Sequence, residues 1–292
     1  MSREARAALL FLAPALFVLV LFFFIPVIAG FALSVTDFDL YAIGDIHNLR
    51  FVALRNYMTL LRSDIFWTAF VNTLYFSLIG GPLTVATSLL ASLLVNAKAA
   101  RFKALFRTIY FAPVVTTLVA VSIVFRFLYH GRFGMINRVL DAIGLQGADW
   151  LGDPRWAMPA IILLALWKNF GFNMVIFIAG LQSIPDRLYE AASTDGANSM
   201  QQFRRITLPM LAPTFVFVSL MTMIGSFQLF AEPYVMTQGG PSNSTLSVVL
   251  LMYEEGFRWW RMGMAAAIAF VLLVIMLIGT LVQIRVQRAR SV

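Results

Sequence analysis

Lys168 is the sharpest candidate for chemistry in this chain, because it is a charge set inside an otherwise apolar run. A cation at the centre of a membrane helix costs about 2.5–3.5 kcal/mol on insertion scales, so it should face a protein interior or a watery cavity. The other option is to snorkel outward and line the mouth. Trp167, Asn169 and Asn173 are its neighbours on the same run, and Asn72, Thr73, Ser226, Phe227 and Gln228 are the candidates on two others. Amides and hydroxyls there can hydrogen-bond the hydroxyls of a polar solute, and Trp167 or Phe227 can stack on a ring. The same polar residues equally serve as ties, since Asn, Gln, Ser and Thr commonly bond across spans. If they form a solute pathway, Lys168→Met should alter solute affinity or gating more than folding. Covalent chemistry has little to work with. Cysteine is absent, and His47 and His130, the two histidines, fall outside the apolar runs. An intramembrane enzyme would need a His/Asp/Glu cluster or a Ser–His pair within the runs.

A second group of residues points to mechanical work. Residues 182–209 are polar and compact, wedged between two apolar runs, and read as two short helices joined by a turn. Ser183 is placed to cap the first and Pro185 stands early, where a missing N–H costs nothing. Gly196 supplies the turn, because glycine tolerates positive φ. Ser199 and Gln202 have the spacing of a capping box for the second helix. Ala191 and Ala192 present almost no side chain and would fit a partner's groove closely, and Glu190 adds one charge for a basic group.

Long apolar elements must position both groups. Of the 292 residues, 60% are hydrophobic and 12% charged, against about 45–50% and 25% in soluble domains. Crossing the roughly 30 Å of hydrocarbon takes about 20 apolar residues. Runs near Ala8–Leu33, Phe66–Val95, Thr108–Leu128, Ala157–Leu181, Leu211–Ala231 and Met262–Ile284 qualify. The first exceeds a signal peptide's apolar stretch of about 7–15 residues and is read as a retained span. The fold class is therefore all-α, a polytopic membrane protein with six transmembrane helices in one domain over residues 1–292. Pro14, Pro26, Pro82, Pro113, Pro159 and Pro213 interrupt or open five of these runs, which suits kinked helices around a pathway. Asn137–Leu145 is expected to form a short surface helix.

Lys and Arg collect on the cytoplasmic side of membrane proteins. With the N-terminus inside, the inner set is Arg3, Arg6, Lys98, Arg101, Lys103, Arg107, Arg187, Arg204, Arg205, Arg285, Arg288 and Arg290, and acids balance the bases outside. Both termini and the Glu190 segment are then cytoplasmic. Trp67, Trp150, Trp156, Trp259 and Trp260 fall at the outer boundaries, as aromatic belts do. The net charge of +8 is dispersed around the runs, which argues against nucleic acid as a partner.

Glu190-Ala191-Ala192, Asp195-Gly196 and Ile206-Thr207-Leu208-Pro209 together match the E-A-A-x-x-x-G-x9-I-x-L-P signature. By it the chain resembles the permease subunits of binding-protein-dependent ABC importers. Further stretches resemble the carbohydrate-type subgroup: Leu12-Ala13-Pro14, Asn56-Tyr57, Asn72-Thr73, Gly134-Met135-Ile136-Asn137, Leu181-Gln182-Ser183-Ile184-Pro185 and Thr237-Gln238-Gly239-Gly240-Pro241. The likeness runs over nearly the whole chain and implies a type I ABC importer permease fold in a bacterial or archaeal plasma membrane. It implies two ATPase subunits, a second permease that is a different chain, and an external solute-binding protein. It also makes 182–209 the ATPase-coupling segment, with Glu190, Ala191, Ala192, Asp195, Gly196, Ile206, Leu208 and Pro209 in contact with the ATPase, and alternating access the mechanism. ATP and Mg would sit on the partner; this chain has no G-x-x-x-x-G-K-[ST] phosphate loop and binds no cofactor or metal. The implied solute is a sugar or sugar derivative, held by Asn72, Thr73, Trp167, Lys168, Asn173, Phe227 and Gln228 unless the partner permease holds it. Glycerol-3-phosphate is the alternative solute, with Lys168 its one support. A stand-alone channel would not need the Glu190 segment.

Overall fold

Hydrocarbon offers no water to a peptide group, so the apolar runs fold as helices that satisfy their own backbones. The computed structural model describes residues 3–45, 49–97 and 101–290. His47 and Lys98 lie outside the described residues, as do the side chains of Arg3, Arg6, Arg288 and Arg290. Spans run over Leu10–Ser34, Asp64–Asn96, Pro154–Gln182, Ala212–Met236 and Met262–Arg285. The sixth apolar run, the third in chain order, is broken: Lys103–Val115 and Leu118–Leu128 meet at 97°. Five of the expected spans are present near their expected bounds, and the one expected over Thr108–Leu128 is a bent pair. A helix of residues Met135–Ala142 occupies the expected surface position.

Proline acts in a specific way here. Val20–Phe24, Phe76–Gly80 and Phe203–Thr207 are π-helical turns, and Pro26, Pro82 and Pro209 each follow two residues later. A helical proline lacks the N–H for the carbonyl four residues back, and its ring collides with that carbonyl. Those carbonyls belong to Phe22, Leu78 and Arg205, inside the π turns. Widening the turn to an i→i+5 pattern relieves the collision and lets the helix continue.

The chain divides into two compact units, residues 1–66 with 251–274 and residues 67–250 with 275–292. In the smaller unit, Phe31 packs edge-on against Phe270, ring centres 5.3 Å apart. Asn56 donates to the carbonyls of Ser34 (2.9 Å) and Thr36 (2.7 Å), and the Tyr57 hydroxyl lies 2.7 Å from that of Ser34. The Asn56-Tyr57 pair therefore staples the end of the first span to the loop after it.

In the larger unit Pro154–Gln182 is the central helix, with Ile161, Leu164, Met174 and Phe177 fully buried. Asp153 caps it by accepting from the Arg155 N–H at 2.9 Å, with Pro154 in the first turn. A Cβ at Gly171 would overlap the Tyr110 carbonyl, so glycine sets the approach of Lys103–Val115. Asn137 donates to the carbonyls of Gly131 and Ala148, both at 2.8 Å, and accepts from the Trp150 indole at 2.7 Å. The Gly134–Asn137 stretch thereby closes the loop that leads into the central helix. Thr237 and Thr245 hydroxyls meet at 2.7 Å, and Thr245 donates to Gly240, which orders the loop around Gly239-Gly240-Pro241.

Candidate functional site

Ala212–Met236 is a discontinuous helix. Its first part ends at Phe227 and its second starts at Ala231, with Gln228, Leu229 and Phe230 between. Ser247 donates to the Leu229 carbonyl freed by this break. Interrupted helices of this kind build solute sites in membrane transporters, because irregular backbone in a membrane needs a cavity or protein around it. A cavity of about 500 Å³ lies at the break, walled by Phe76, Gly80 and Thr84 of the second span, Leu118, Asn169, Phe172 and Asn173, and Met221–Glu232 residues including Thr222, Ser226 and Gln228.

The polar wall residues are already partly committed. Asn173 donates to the Thr222 hydroxyl at 2.9 Å and Asn169 to the Ala165 carbonyl at 2.9 Å. Thr84 donates to Gly80 and Ser226 to Thr222, each at 2.8 Å. Asn173 and Gln228, named from the sequence as pathway residues, line this cavity. Lys168, Trp167, Asn72, Thr73 and Phe227 do not.

Lys168 does something else. Its ammonium donates to the carbonyls of Pro113 (2.6 Å), Val114 (3.0 Å) and Thr116 (2.8 Å). These are the backbone groups exposed where the third span breaks. Of the two placements expected, protein interior or watery cavity, the charge takes the interior, where it caps a helix end, the placement that favours cations. Trp167 leans on Phe125, ring centres 5.3 Å apart, and borders a separate hollow with Pro113 and Phe170. Asn72 donates to the carbonyls of Asn243 (2.7 Å) and Leu246 (3.0 Å), and the Thr73 hydroxyl accepts from the Val248 N–H at 3.0 Å. Both hold the 243–248 loop. Phe227 is buried in the packing.

Glu232 is a further residue of the site, one position past the end of the run Leu211–Ala231. The residue lies within the apolar segment Ala212–Met236, is 7% exposed, and lines the cavity. A signal was available: the residues from Tyr234 to Met236 are apolar enough to extend the run past the acid.

The 182–209 segment has the two-helix form expected. Asp186–Thr194 is the first helix. It closes in a Schellman arrangement, with Ala197 N–H to Ala192 carbonyl at 2.9 Å, Gly196 N–H to Ser193 carbonyl at 3.1 Å, and Gly196 at φ +77°. Two capping expectations need correction. Ser183 ends the preceding helix, its hydroxyl on the Gly180 carbonyl, and Pro185 takes the N-cap position without a side-chain cap. The capping box is Asn198 with Gln201, one residue earlier than Ser199 with Gln202. Gln202 instead reaches back to the Ser193 hydroxyl at 3.0 Å and the Ala197 carbonyl at 3.2 Å. The Tyr189 hydroxyl lies 2.9 Å from that of Thr207. These ties make the helix pair stiff. Ile206 packs toward buried Leu181, Ile184 and Leu211. Glu190, Ala191, Asp195, Gly196, Leu208 and Pro209 are exposed and Ala192 is half-buried.

The sequence model for the binding-protein-dependent transport system inner membrane component matches residues 84–292. The arabinooligosaccharides transport system permease protein of Bacillus subtilis (strain 168) is 35% identical over 97% of this chain and 89% of its own. The lactose transport system permease protein of Rhizobium radiobacter is 35% identical over 97% and 94%. Among solved structures, a chain of a bacterial ABC transporter involved in the import of the acidic polysaccharide alginate superposes with a TM-score of 0.81 at 24% identity, covering 98% of this chain and 96% of that one.

Proposed function

The chain belongs to the family of inner membrane components of binding-protein-dependent transport systems, and from that premise we propose that it forms the translocation pathway of an ABC importer for a sugar or sugar derivative. The observation that carries the sugar reading is the cavity at the break in the fifth span, with amide and hydroxyl groups set between Phe76, Phe172 and Phe230. Ligand sites of this kind combine apolar walls with a few placed polar groups. Relatives in the family are named for arabinooligosaccharide and lactose transport. The glycerol-3-phosphate alternative loses its support, because the Lys168 ammonium is enclosed by three carbonyls and absent from the cavity wall.

In this reading the chain works with a second, different permease, two ATPase subunits and an external solute-binding protein, and hydrolyses no ATP. ATP and Mg are held by the ATPases. Glu190, Ala191 and Ala192 enter an ATPase groove, and the ties from Gln202 and Tyr189 transmit its motion through Ile206 into the fifth span. The distribution of arginines supports cytoplasmic termini and an inner position for this segment. The test is uptake by the assembled importer in proteoliposomes, with radiolabelled lactose, maltose, trehalose and arabinooligosaccharides as probes beside sn-glycerol 3-phosphate. ATP-dependent uptake of a sugar is expected. Uptake of the phosphate alone would replace the sugar reading.

A further inference from the structure

The fold does not decide the charge of the solute, since a chain of the same fold belongs to a transporter for an acidic polysaccharide. The cavity wall does. It contains Glu232 and no Lys, Arg or His. Among the described residues no basic side chain forms an ion pair with Glu232. The residue is 7% exposed and lines the cavity. A buried acid without a basic partner is costly to maintain, and inside a membrane segment such groups mark pathways.

The neighbouring polar groups point the same way. The hydroxyl protons of Thr84 and Ser226 and one amide proton each of Asn169 and Asn173 are spent on helix oxygens and on Thr222. Among the described residues no donor reaches the Oδ1 atoms of Asn169 or Asn173. The wall therefore keeps acceptors at Asn169, Asn173 and Glu232 beside the remaining amide donors, and Glu232 is its one acid. Acceptors recognise hydroxyl or ammonium donors, and a carboxylate does so through short charge-assisted bonds. A phosphate, sulfate or carboxylate on the solute would meet a like charge at Glu232 with no cation on the wall to offset it.

We propose that Glu232 is the specificity-determining residue of this cavity, binding hydroxyl donors of a neutral sugar and rejecting anionic sugars. This rests on the reading of the cavity as a sugar pathway. At about 5 Å and an effective dielectric near 20, repulsion between unit charges corresponds to discrimination on the order of a hundredfold.

The experiment uses the assembled importer in proteoliposomes. The probe is whichever of lactose or maltose the wild type takes up, and the competitor is lactobionate or maltobionate, the same skeleton carrying a carboxylate. Wild-type uptake should resist a hundredfold excess of the aldonate. In Glu232→Gln, sugar uptake should fall roughly tenfold while the aldonate becomes a competitor. The diagnostic readout is the ratio of sugar to aldonate affinity, which a merely structural loss would leave unchanged. Gln228→Lys provides a second route, placing a cation on the same wall, and should also admit the aldonate; it carries the test if Glu232→Gln does not assemble. Wild-type sugar affinity with continued exclusion of the aldonate in both variants overturns the role of Glu232 alone. A wild type that takes up sn-glycerol 3-phosphate and neither sugar overturns both this role and the sugar pathway beneath it.

Discussion

Replacing Lys168 by Met tests whether the intramembrane cation serves the solute or the scaffold. Met keeps most of the length and removes the ammonium. Of the three carbonyls it holds, that of Pro113 retains the Thr116 hydroxyl at 2.6 Å. Those of Val114 and Thr116 lose the ammonium that holds them at the break. Each orphaned buried group costs about 1–3 kcal/mol, and relief from burying an ammonium offsets part of the sum. The net expectation is a loss of about 2–4 kcal/mol, which for chains of this size lowers the melting temperature by roughly 5–15 °C. Thermal unfolding of the purified complex reads this directly. Sugar KM in proteoliposomes should stay within about twofold, because Lys168 is not on the cavity wall. The sequence alone leads to the expectation that affinity or gating suffers more than folding; the carbonyl contacts argue for the opposite weighting, which this measurement decides. An unchanged melting temperature with a tenfold shift in KM would refute the capping argument.

Glu190→Lys should leave the chain in the membrane fraction but bring sugar-stimulated ATPase activity of the assembled complex down to its basal level; full coupling would remove the docking role. Gly196→Val forces a branched side chain to φ +77° and should cost about 1–2 kcal/mol locally, visible as faster proteolysis within 182–209 in the isolated permease pair. Asn173→Leu removes both the tie to Thr222 and a wall acceptor, so sugar KM should rise roughly tenfold, measured as initial uptake rate against concentration. Unchanged KM would move the solute away from this wall.

Helix number and approximate bounds were legible because hydrocarbon thickness imposes a length on every span, and the Glu190 segment was legible because its turn needs Gly196. What each polar residue does was less so. Lys168, Asn72 and Thr73 looked alike in sequence as polar intrusions, yet each is held by backbone groups on segments distant along the chain. No periodicity encodes such a partner. The break after Val115 was missed for a related reason: Pro113 alone signals a kink, and the stabiliser that allows a right angle is Lys168, more than fifty positions later. Glu232 falls one residue past the expected end of the fifth run at Ala231, because an acid followed by Pro233 reads as the close of a span.

The right-angled third segment also bears on life in the bilayer. At about 1.5 Å per residue, its limbs of 13 and 11 residues reach roughly 20 Å and 17 Å, and neither traverses the hydrocarbon unaided. Lipid tails offer nothing to hydrogen-bond the backbone at the corner, so the chain meets it from within, through the Lys168 ammonium. Without that cation the corner would have to straighten or draw water into the bilayer, so one side chain decides whether this segment can live in lipid as a bend.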